Sequence, residues 1–310
     1  MENMEPKKKK PFDVRRILTV ICLLCFLAAL VGIASNVIKY YTIATDEQAA
    51  NDLYSVDESL FEEESEAPVS SEVSLNPETG VIDDFEAAHA VNKDIKGYIW
   101  IPQTDIKSVV VQGTDNKYYL NHNFYGKAVL GIPFIDYRAE FTAKNHSMNV
   151  TVYGHDAANG SYFAYLKNYK NLAFYRQNPV VRFDTAYGRE SYKIIAACLV
   201  EVDKDLPDYF GYHNYIDMTE SEYNRFMTEI DRRSFFNTTV DYHYGDEFLT
   251  LSTCENLTSE VPTPYRMIVV ARKVRPGESY SVNTAGATEN KDMIMPGVWV
   301  KQHGKANPYA

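Results

Sequence analysis

Residues 248–255 read Phe-Leu-Thr-Leu-Ser-Thr-Cys-Glu, in which apolar and hydroxylated side chains alternate up to a cysteine. An alternation of period two, over residues that are mostly apolar or β-branched, is typical of a β-strand. A second apolar run, 267–271, follows directly behind Arg266. If the two strands are neighbours, Cys254 at the end of the first and Arg266 at the start of the second face one small volume.

A thiol beside a guanidinium suits covalent chemistry on a carbonyl group. The thiolate is the nucleophilic form of cysteine, and a nearby cation both favours that form and stabilises an oxyanion. A single cysteine at a strand end is also often no more than a small buried hydrophobe. This stretch by itself leaves both interpretations of Cys254 open.

The chain has seven histidines, and a catalytic cysteine usually needs one of them as a base or as an imidazolium partner. His155 follows the run 149–153 across Gly154. It is therefore expected just past a strand end, where a rigid scaffold carries functional loops. A structural histidine is the alternative. We predict a candidate catalytic set of Cys254, His155 and Arg266, each at the edge of a different strand.

The composition is that of a globular protein of 310 residues, long enough for one large domain or two small ones. The formal net charge of −11 argues against a nucleic-acid partner. The four cysteines form no spaced framework, which argues against a disulfide-stapled scaffold. Cys22 and Cys25 lie in an apolar run, so their spacing does not indicate a zinc site.

The N-terminal segment combines basic residues with a long apolar run. Residues 1–16 are basic, and residues 17–38 carry no charge. About twenty apolar residues in a helix span the roughly 30 Å hydrocarbon core of a bilayer, and flanking positive charge marks the cytoplasmic side. We predict a transmembrane signal anchor over 17–38, with the N-terminus in the cytoplasm. A signal peptide cleaved near Ala34 is the alternative.

Two further segments lack the periodicity of a packed domain. Residues 39–80 are rich in Glu, Asp, Ser and Pro, which predicts a disordered acidic stalk, with an acidic binding segment as the alternative. Residues 276–310, after the body at 81–275, are predicted to be a peripheral or disordered tail. Trp299 is the one hint that part of this tail docks.

Short apolar runs dominate the body. The predicted strands are 98–102, 108–112, 149–153, 180–183, 191–200, 248–253 and 266–274. Helices are predicted over 83–91, over 162–175 and from a capping box at Thr219 and Glu222. Many short strands with few helices predict a mainly β protein, either a barrel or a sandwich.

The ordered motifs of the body resemble those of class B sortases. Thr250 to Cys254 is similar to the family signature T-L-x-T-C, Val152 to His155 to its histidine motif, and Arg266 to its arginine. Other stretches that resemble the family are 97–102, 110–113, 115–120, 134–138 and the helix around 219–233. The resemblance covers residues 81–274, whereas the tail beyond residue 275 departs from the family, which usually ends soon after the last strand.

The resemblance implies an eight-stranded sortase-type β-barrel with a few peripheral helices, preceded by one transmembrane helix. It implies a transpeptidase on the plasma membrane of a Gram-positive bacterium, with an extracellular catalytic domain. Cys254 would cleave secreted proteins after the Thr of a C-terminal sorting motif, NPQTN-like or LPxTG-like, and form a thioacyl-enzyme. An amine of a peptidoglycan precursor or of a pilin would then accept the protein.

The same resemblance implies a role for each site residue. His155 would protonate the leaving amine and deprotonate the incoming one, and Arg266 would hold the substrate and stabilise the oxyanion. By similarity, the active minority form pairs a thiolate with an imidazolium. The substrate contacts that carry over are Asn116, Leu120, Tyr153, Ser252 and Glu255. No metal and no cofactor are implied.

Two other functions remain open at this point. A membrane-anchored cysteine peptidase would use the same first half-reaction and resolve the acyl-enzyme with water. A non-catalytic binding module on a stalk would keep the barrel without needing Cys254, His155 and Arg266 together.

Overall fold

The computed structural model describes residues 14–54, 74–156, 160, 162–254 and 264–308. The chain forms two compact units, Met1–Ile43 and Ala44–Ala310. The described part of the first unit belongs to helix α1 (Val14–Asn51). By length and composition, the span Ile17–Asn51 is apolar enough to cross a membrane.

Helix α1 is longer than the predicted anchor. It continues past residue 38 to Asn51, so the prediction of a disordered stalk is wrong for residues 39–51. This part of the sequence contains several good helix formers, Glu47, Gln48 and two alanines among them, which continue the helix once it is started. The acidic run at 62–66, on which the stalk prediction mainly rested, lies outside the described residues.

The second unit is built on a closed eight-stranded barrel in the order β1-β2-β3-β4-β8-β9-β6-β5. These strands are β1 (Ile95–Trp100), β2 (Lys107–Val111), β3 (Phe134–Ile135), β4 (Asn149–Gly154), β5 (Val180–Thr185), β6 (Gly188–Glu201), β8 (Phe248–Cys254) and β9 (Tyr265–Lys273). Outside the barrel, β7 (Phe236–Asn237) pairs with β10 (Thr288–Glu289). The prediction of a mainly β, eight-stranded barrel is confirmed.

All seven predicted strands are present, and the described helices are few and mostly short. The α-helices after α1 are α2 (Glu86–Val91), α3 (Leu172–Gln177), α4 (Glu220–Asp231) and α5 (Gly297–His303). The helix predicted over 162–175 is instead a 3₁₀ helix (Ala164–Lys170) followed by α3. The side chain of Asn171 caps α3 by accepting from the Ala173 amide, which separates the two.

Helix α4 explains why the long strand β6 is buried on both faces. Thr219 and Glu222 form the predicted capping box, and the stripe that includes Phe226 and Ile230 is buried. This stripe packs on Cys198 and the other outward residues of β6, whereas Leu199 and its alternates point into the barrel. A strand covered on both faces loses the apolar-polar alternation of a half-exposed strand.

The segment 276–310 is more extensively packed than the prediction of a peripheral or disordered tail, and Trp299, its one hint of docking, is buried. Met293, Met295 and Trp299 are at most 7% exposed and belong to the same apolar core as the barrel interior. The Tyr265 hydroxyl donates to the Gln302 side chain, at 3.2 Å, which joins α5 to the start of β9. These apolar residues belong to two runs of three, 293–295 and 298–300, which are too short to show a period.

Candidate functional site

The strand register brings the three predicted catalytic positions to one end of the barrel. In the antiparallel pair β8–β9, Cys254 is the direct cross-strand partner of Arg266. In the parallel pair β4–β8, Gly154 is the partner of Thr253, so His155 and Cys254 are the next residues of the two strands. The backbone thus places all three positions at the end of three adjacent strands.

A cleft of about 340 Å³ opens at this end of the barrel. It is lined by Asn116, Leu120, Phe134, Tyr153, Gly154, His155, Tyr212, His213, Ser252, Thr253 and Arg266. Four of the five predicted substrate contacts are therefore in one cleft with His155 and Arg266. The fifth, Glu255, lies outside the described residues.

The ring of His155 is oriented by a backbone carbonyl. Its Nε2 lies 2.8 Å from the carbonyl oxygen of Leu120. Because a carbonyl oxygen only accepts, Nε2 carries the hydrogen, and in the neutral ring Nδ1 keeps its lone pair. Burial lowers the pKa of His155 below 6.5, against the opposing effect of the Leu120 hydrogen bond. The neutral imidazole is thus the main form at neutral pH, with Nδ1 able to take a proton.

Gly154 permits the close packing that fixes the chain beside His155. A Cβ at this position would lie 2.5 Å from the Phe163 ring, a distance that real Cβ contacts do not show. The amide of Phe163 also donates to the His155 carbonyl, at 3.0 Å. Any residue larger than glycine at 154 would therefore displace either the ring or the backbone that carries His155.

A buried carboxylate fixes one wall of the cleft. Asp136 is 1% exposed and accepts hydrogen bonds from the Tyr153 hydroxyl, at 2.8 Å, and from Arg138, at 2.7 Å. Burial alone would raise the pKa of Asp136, but the hydrogen bonds and the charge of Arg138 outweigh burial and lower it. Asp136 is therefore ionised, and it holds the Tyr153 side chain through its hydroxyl.

Hydrogen bonds also fix the side chains of Asn116, Ser252 and Tyr212 in the wall of the cleft. Asn116 accepts from the Tyr137 amide at 3.0 Å, and the hydroxyls of Ser252 and Tyr212 are 2.6 Å apart. Tyr212 belongs to the 3₁₀ turn Tyr212–Asn214. Tyr212, Phe134 and His213 were not among the predicted site residues. The aromatic residues on both sides of Gly211, between Tyr209 and Tyr215, were a signal for a packed turn.

Arg266 gives the cleft a positive charge. It lines the cleft, and its guanidinium donates to the Tyr265 carbonyl at 3.1 Å. None of the described residues that line the cleft is Asp or Glu. A cation in a cleft whose described lining holds no carboxylate favours groups that gain negative charge during a reaction.

A family match and two related proteins all point to one protein family. The Sortase domain family matches residues 99–274. Sortase B of Staphylococcus aureus is 33% identical over 195 residues, which cover 62% of this chain and 75% of that protein. Sortase B of Listeria monocytogenes is 30% identical over 178 residues, which cover 56% of this chain and 68% of that protein.

Solved structures agree with the sequence matches. A Staphylococcus aureus sortase B–substrate complex has a TM-score of 0.59 and 27% identity, and the match covers 77% of this chain and 99% of that one. A Bacillus anthracis protein similar to sortase B has a TM-score of 0.61 and 26% identity, and the match covers 76% of this chain and 97% of that one. Together with the strand register and the cleft, these matches show that the chain belongs to the sortase family of cysteine transpeptidases, in its class B.

Proposed function

We propose that Cys254, His155 and Arg266 are the catalytic residues of a membrane-anchored transpeptidase that attaches secreted proteins to an amine at the cell surface. The observation that carries this proposal is the convergence of three strand ends. Cys254 and Arg266 are cross-strand partners, and His155 follows the residue paired with Thr253. Membership of class B supplies the reaction type.

The first half-reaction makes a thioester. The Cys254 thiolate attacks the carbonyl carbon of the Thr in a sorting motif, and the carbonyl oxygen gains the negative charge that Arg266 stabilises. The C–N bond then breaks, and the imidazolium form of His155 gives its proton to the leaving amine. Because the pKa of His155 is lowered, the thiolate–imidazolium pair is a minor population of the resting enzyme.

The second half-reaction transfers the acyl group. An amine attacks the thioester carbonyl, neutral His155 takes a proton from the attacking nitrogen, and the Cys254 thiolate leaves. The acceptor is an amine of a peptidoglycan precursor or of a pilin. A thioester is reactive enough for this aminolysis, so no metal or cofactor is needed.

Substrate binding is assigned to the walls of the cleft. Leu120 and Tyr153 offer apolar surface, and Asn116 and Ser252 offer polar groups whose orientation is fixed by Tyr137 and Tyr212. We assign to this cleft an NPQTN-like or LPxTG-like pentapeptide of a secreted protein. Glu255 would extend the contact beyond the described residues.

The N-terminal sequence supports a placement of the protein in the cell. Residues 1–16 are basic and precede the apolar part of α1, which is compatible with a single-pass anchor. We propose a cytoplasmic N-terminus and an extracellular catalytic domain over 81–275. This orientation puts Cys254 on the side of the membrane where secreted proteins and cell-wall amines meet.

Product analysis tests the function and separates it from the peptidase alternative. The full chain in detergent is incubated with sorting-motif peptides, with and without a diamino acid. The proposal predicts cleavage after Thr and a product whose mass includes the amine, both absent in Cys254→Ala. Cleavage with only water added, even at high amine concentration, would favour a peptidase. If the protein cleaved none of the peptides, only the binding-module alternative would remain.

A further inference from the structure

The segment of residues 44–54, which we call the docking segment, is fixed to the outside of the barrel. The side chain of Asn51 donates to the Lys107 carbonyl at 3.1 Å and accepts from the Val109 amide at 3.2 Å, so it pairs with the edge of β2 as a strand would. The ring of Tyr54 stacks on Phe85 with centroids 4.4 Å apart. The segment is therefore part of the folded unit and has a defined place on it.

One carboxylate of the docking segment reaches the loop that lies beside His155. Asp46 accepts from the Asn123 side-chain amide at 2.8 Å and from the Lys127 ammonium at 2.8 and 3.0 Å. The Asp46 side chain is only 14% exposed but that of Lys127 is 55% exposed, so the contact with buried Asn123 is the better shielded of the two.

Asn123 connects Asp46 to the backbone of its own loop. Its side-chain oxygen accepts from the amides of Tyr125 and Lys127, at 3.1 and 3.0 Å, and its own amide donates to the Lys127 carbonyl. Asn123 is 4% exposed, so it shapes the loop from inside. Asp46 therefore anchors the residue around which this loop folds.

The other branch of the same loop orients the His155 ring. The Leu120 carbonyl accepts from His155 Nε2 at 2.8 Å and from the Gly131 amide at 3.2 Å. A Cβ at Gly131 would lie 1.8 Å from the Tyr119 carbonyl, so the two branches of the loop are in close contact. A displacement of the loop at Asn123 would move the acceptor that fixes the imidazole.

The docking segment also lies near the chain that follows His155. Tyr162 is 2% exposed and has a φ of 57°, an unfavourable conformation that its packing must maintain. Burial raises the pKa of the Tyr162 hydroxyl, and the nearby charges of Glu47 and Asp46 raise it further. The next residue, Phe163, donates its amide to the His155 carbonyl. The segment thus borders both stretches that hold His155.

We propose that Asp46 is a positioning residue for catalysis: through Asn123 and Lys127 it holds the loop whose Leu120 carbonyl orients His155. This inference rests on the proposed catalytic role of His155. It assigns the docking segment a part in turnover, whereas a stalk would serve only as a tether.

The test compares four forms of the full chain in detergent: wild type, Asp46→Ala, Asp46→Asn and the control Asp52→Ala. Asp52 belongs to the docking segment too, but its side chain accepts from Gln48 of the same segment. We expect Asp46→Ala to lower kcat for amine transfer about fivefold, the effect of about one net hydrogen bond. Asp46→Asn keeps an acceptor for Asn123 and should lose less, and Asp52→Ala should match the wild type.

Thermal unfolding of each variant separates positioning from stability. A merely structural role would lower the unfolding midpoint and leave kcat unchanged at temperatures well below it. If Asp46→Ala does not fold, Lys127→Met, which removes the exposed partner, should lower kcat in the same direction. An Asp46→Ala or Lys127→Met enzyme with the kcat of Asp52→Ala would overturn the inference alone. A wild type without amine transfer would instead refute the proposed function.

Discussion

The two ends of strand β4 each carry a histidine, and their surroundings differ completely. His146 precedes the strand, stacks on Phe141 with centroids 4.3 Å apart, and lies 3.5 Å from Glu190 and 3.8 Å from Glu247. His155 follows the strand, with its Nε2 on a carbonyl oxygen and no Asp or Glu among the described residues that line its cleft. One histidine thus lies among carboxylates, and the other faces a cleft whose described lining has none.

The larger cavity lies at the His146 end. It has a volume of about 630 Å³, against about 340 Å³ for the cleft at the other end. Its charged groups are largely occupied with one another, as when Lys273 bonds both Glu190 and Glu247 at 2.8 Å. Cavity size therefore does not identify the site. The chemical groups that a cavity offers to a substrate are a better guide than its volume.

The largest effect should distinguish the two cysteines of the barrel. We expect Cys254→Ala to lower turnover by about 10⁴-fold or more, because the nucleophile is lost. Cys198 is buried in β6, its thiol donates to the Ile230 carbonyl, and burial raises its pKa, so it is inert. Cys198→Ala should keep full turnover and lose about 1 kcal/mol of unfolding free energy. Turnover assays with denaturant unfolding of both variants check this, and equal turnover losses would contradict it.

A second comparison replaces one arginine at each end of the barrel by lysine. Arg266→Lys should lower kcat/KM by about 10²- to 10³-fold, because a planar, forked cation at the developing oxyanion is replaced by a point charge. Arg189, at the His146 end, lies 3.4 Å from Asp84, and Arg189→Lys keeps the positive charge and should be nearly silent. Steady-state kinetics on both variants measures this difference. Near-wild-type activity of Arg266→Lys would remove Arg266 from the mechanism.

Acid stability should reveal the burial of His155. The pKa of His155 is lowered in the folded protein, so the unfolded chain binds more protons below about pH 6.5. Folding stability therefore decreases as the pH decreases. His155→Gln lacks this proton uptake. We expect its unfolding midpoint, relative to wild type, to rise as pH falls from 7 to 5. Parallel midpoints over that range would show that the imidazole is not buried as described.

The smallest effect belongs to the His146 end and has the same sign at a lower pH. Hydrogen bonds from His146 and Lys273, acting against burial, lower the pKa of Glu247 to about 2. Its stabilisation is therefore present above pH 4.5 and is lost as pH falls towards 2. Glu247→Gln should be less stable than wild type at pH 7, by an amount that shrinks at pH 3. Its turnover should be unchanged, and a loss of turnover would contradict the separation of the two ends.

The long strands, and the strand-end positions of the proposed catalytic residues, could be predicted because they depend on local patterns. The alternation in β8 and the single residue between the predicted strand 149–153 and His155 indicate which positions lie at strand ends. Strands β3, β7 and β10 have two residues each, too few to show a period. These short strands form because their neighbours present open hydrogen-bonding edges.

Tertiary contacts determine the features of the fold and of the cleft that the sequence patterns did not predict. Tyr212 reaches the cleft through a turn whose His213 carbonyl accepts from Arg138, a residue far away in sequence. Asn51 and Trp299 dock on surfaces that only the closed barrel creates. No periodicity within those segments encodes the contacts, so the stalk prediction missed Asn51, and the tail prediction had only Trp299 as a hint of docking.

The central claim, that Cys254 forms a thioacyl-enzyme, is tested most directly by intact-mass spectrometry of the full chain. The protein is mixed with a sorting-motif peptide without an added amine and quenched in acid. We predict a mass gain equal to the acyl fragment that ends at Thr, located to Cys254 by digestion, released by hydroxylamine and absent in Cys254→Ala. A cleaved peptide with no adduct on the wild type, or an adduct that survives in Cys254→Ala, would contradict the claim.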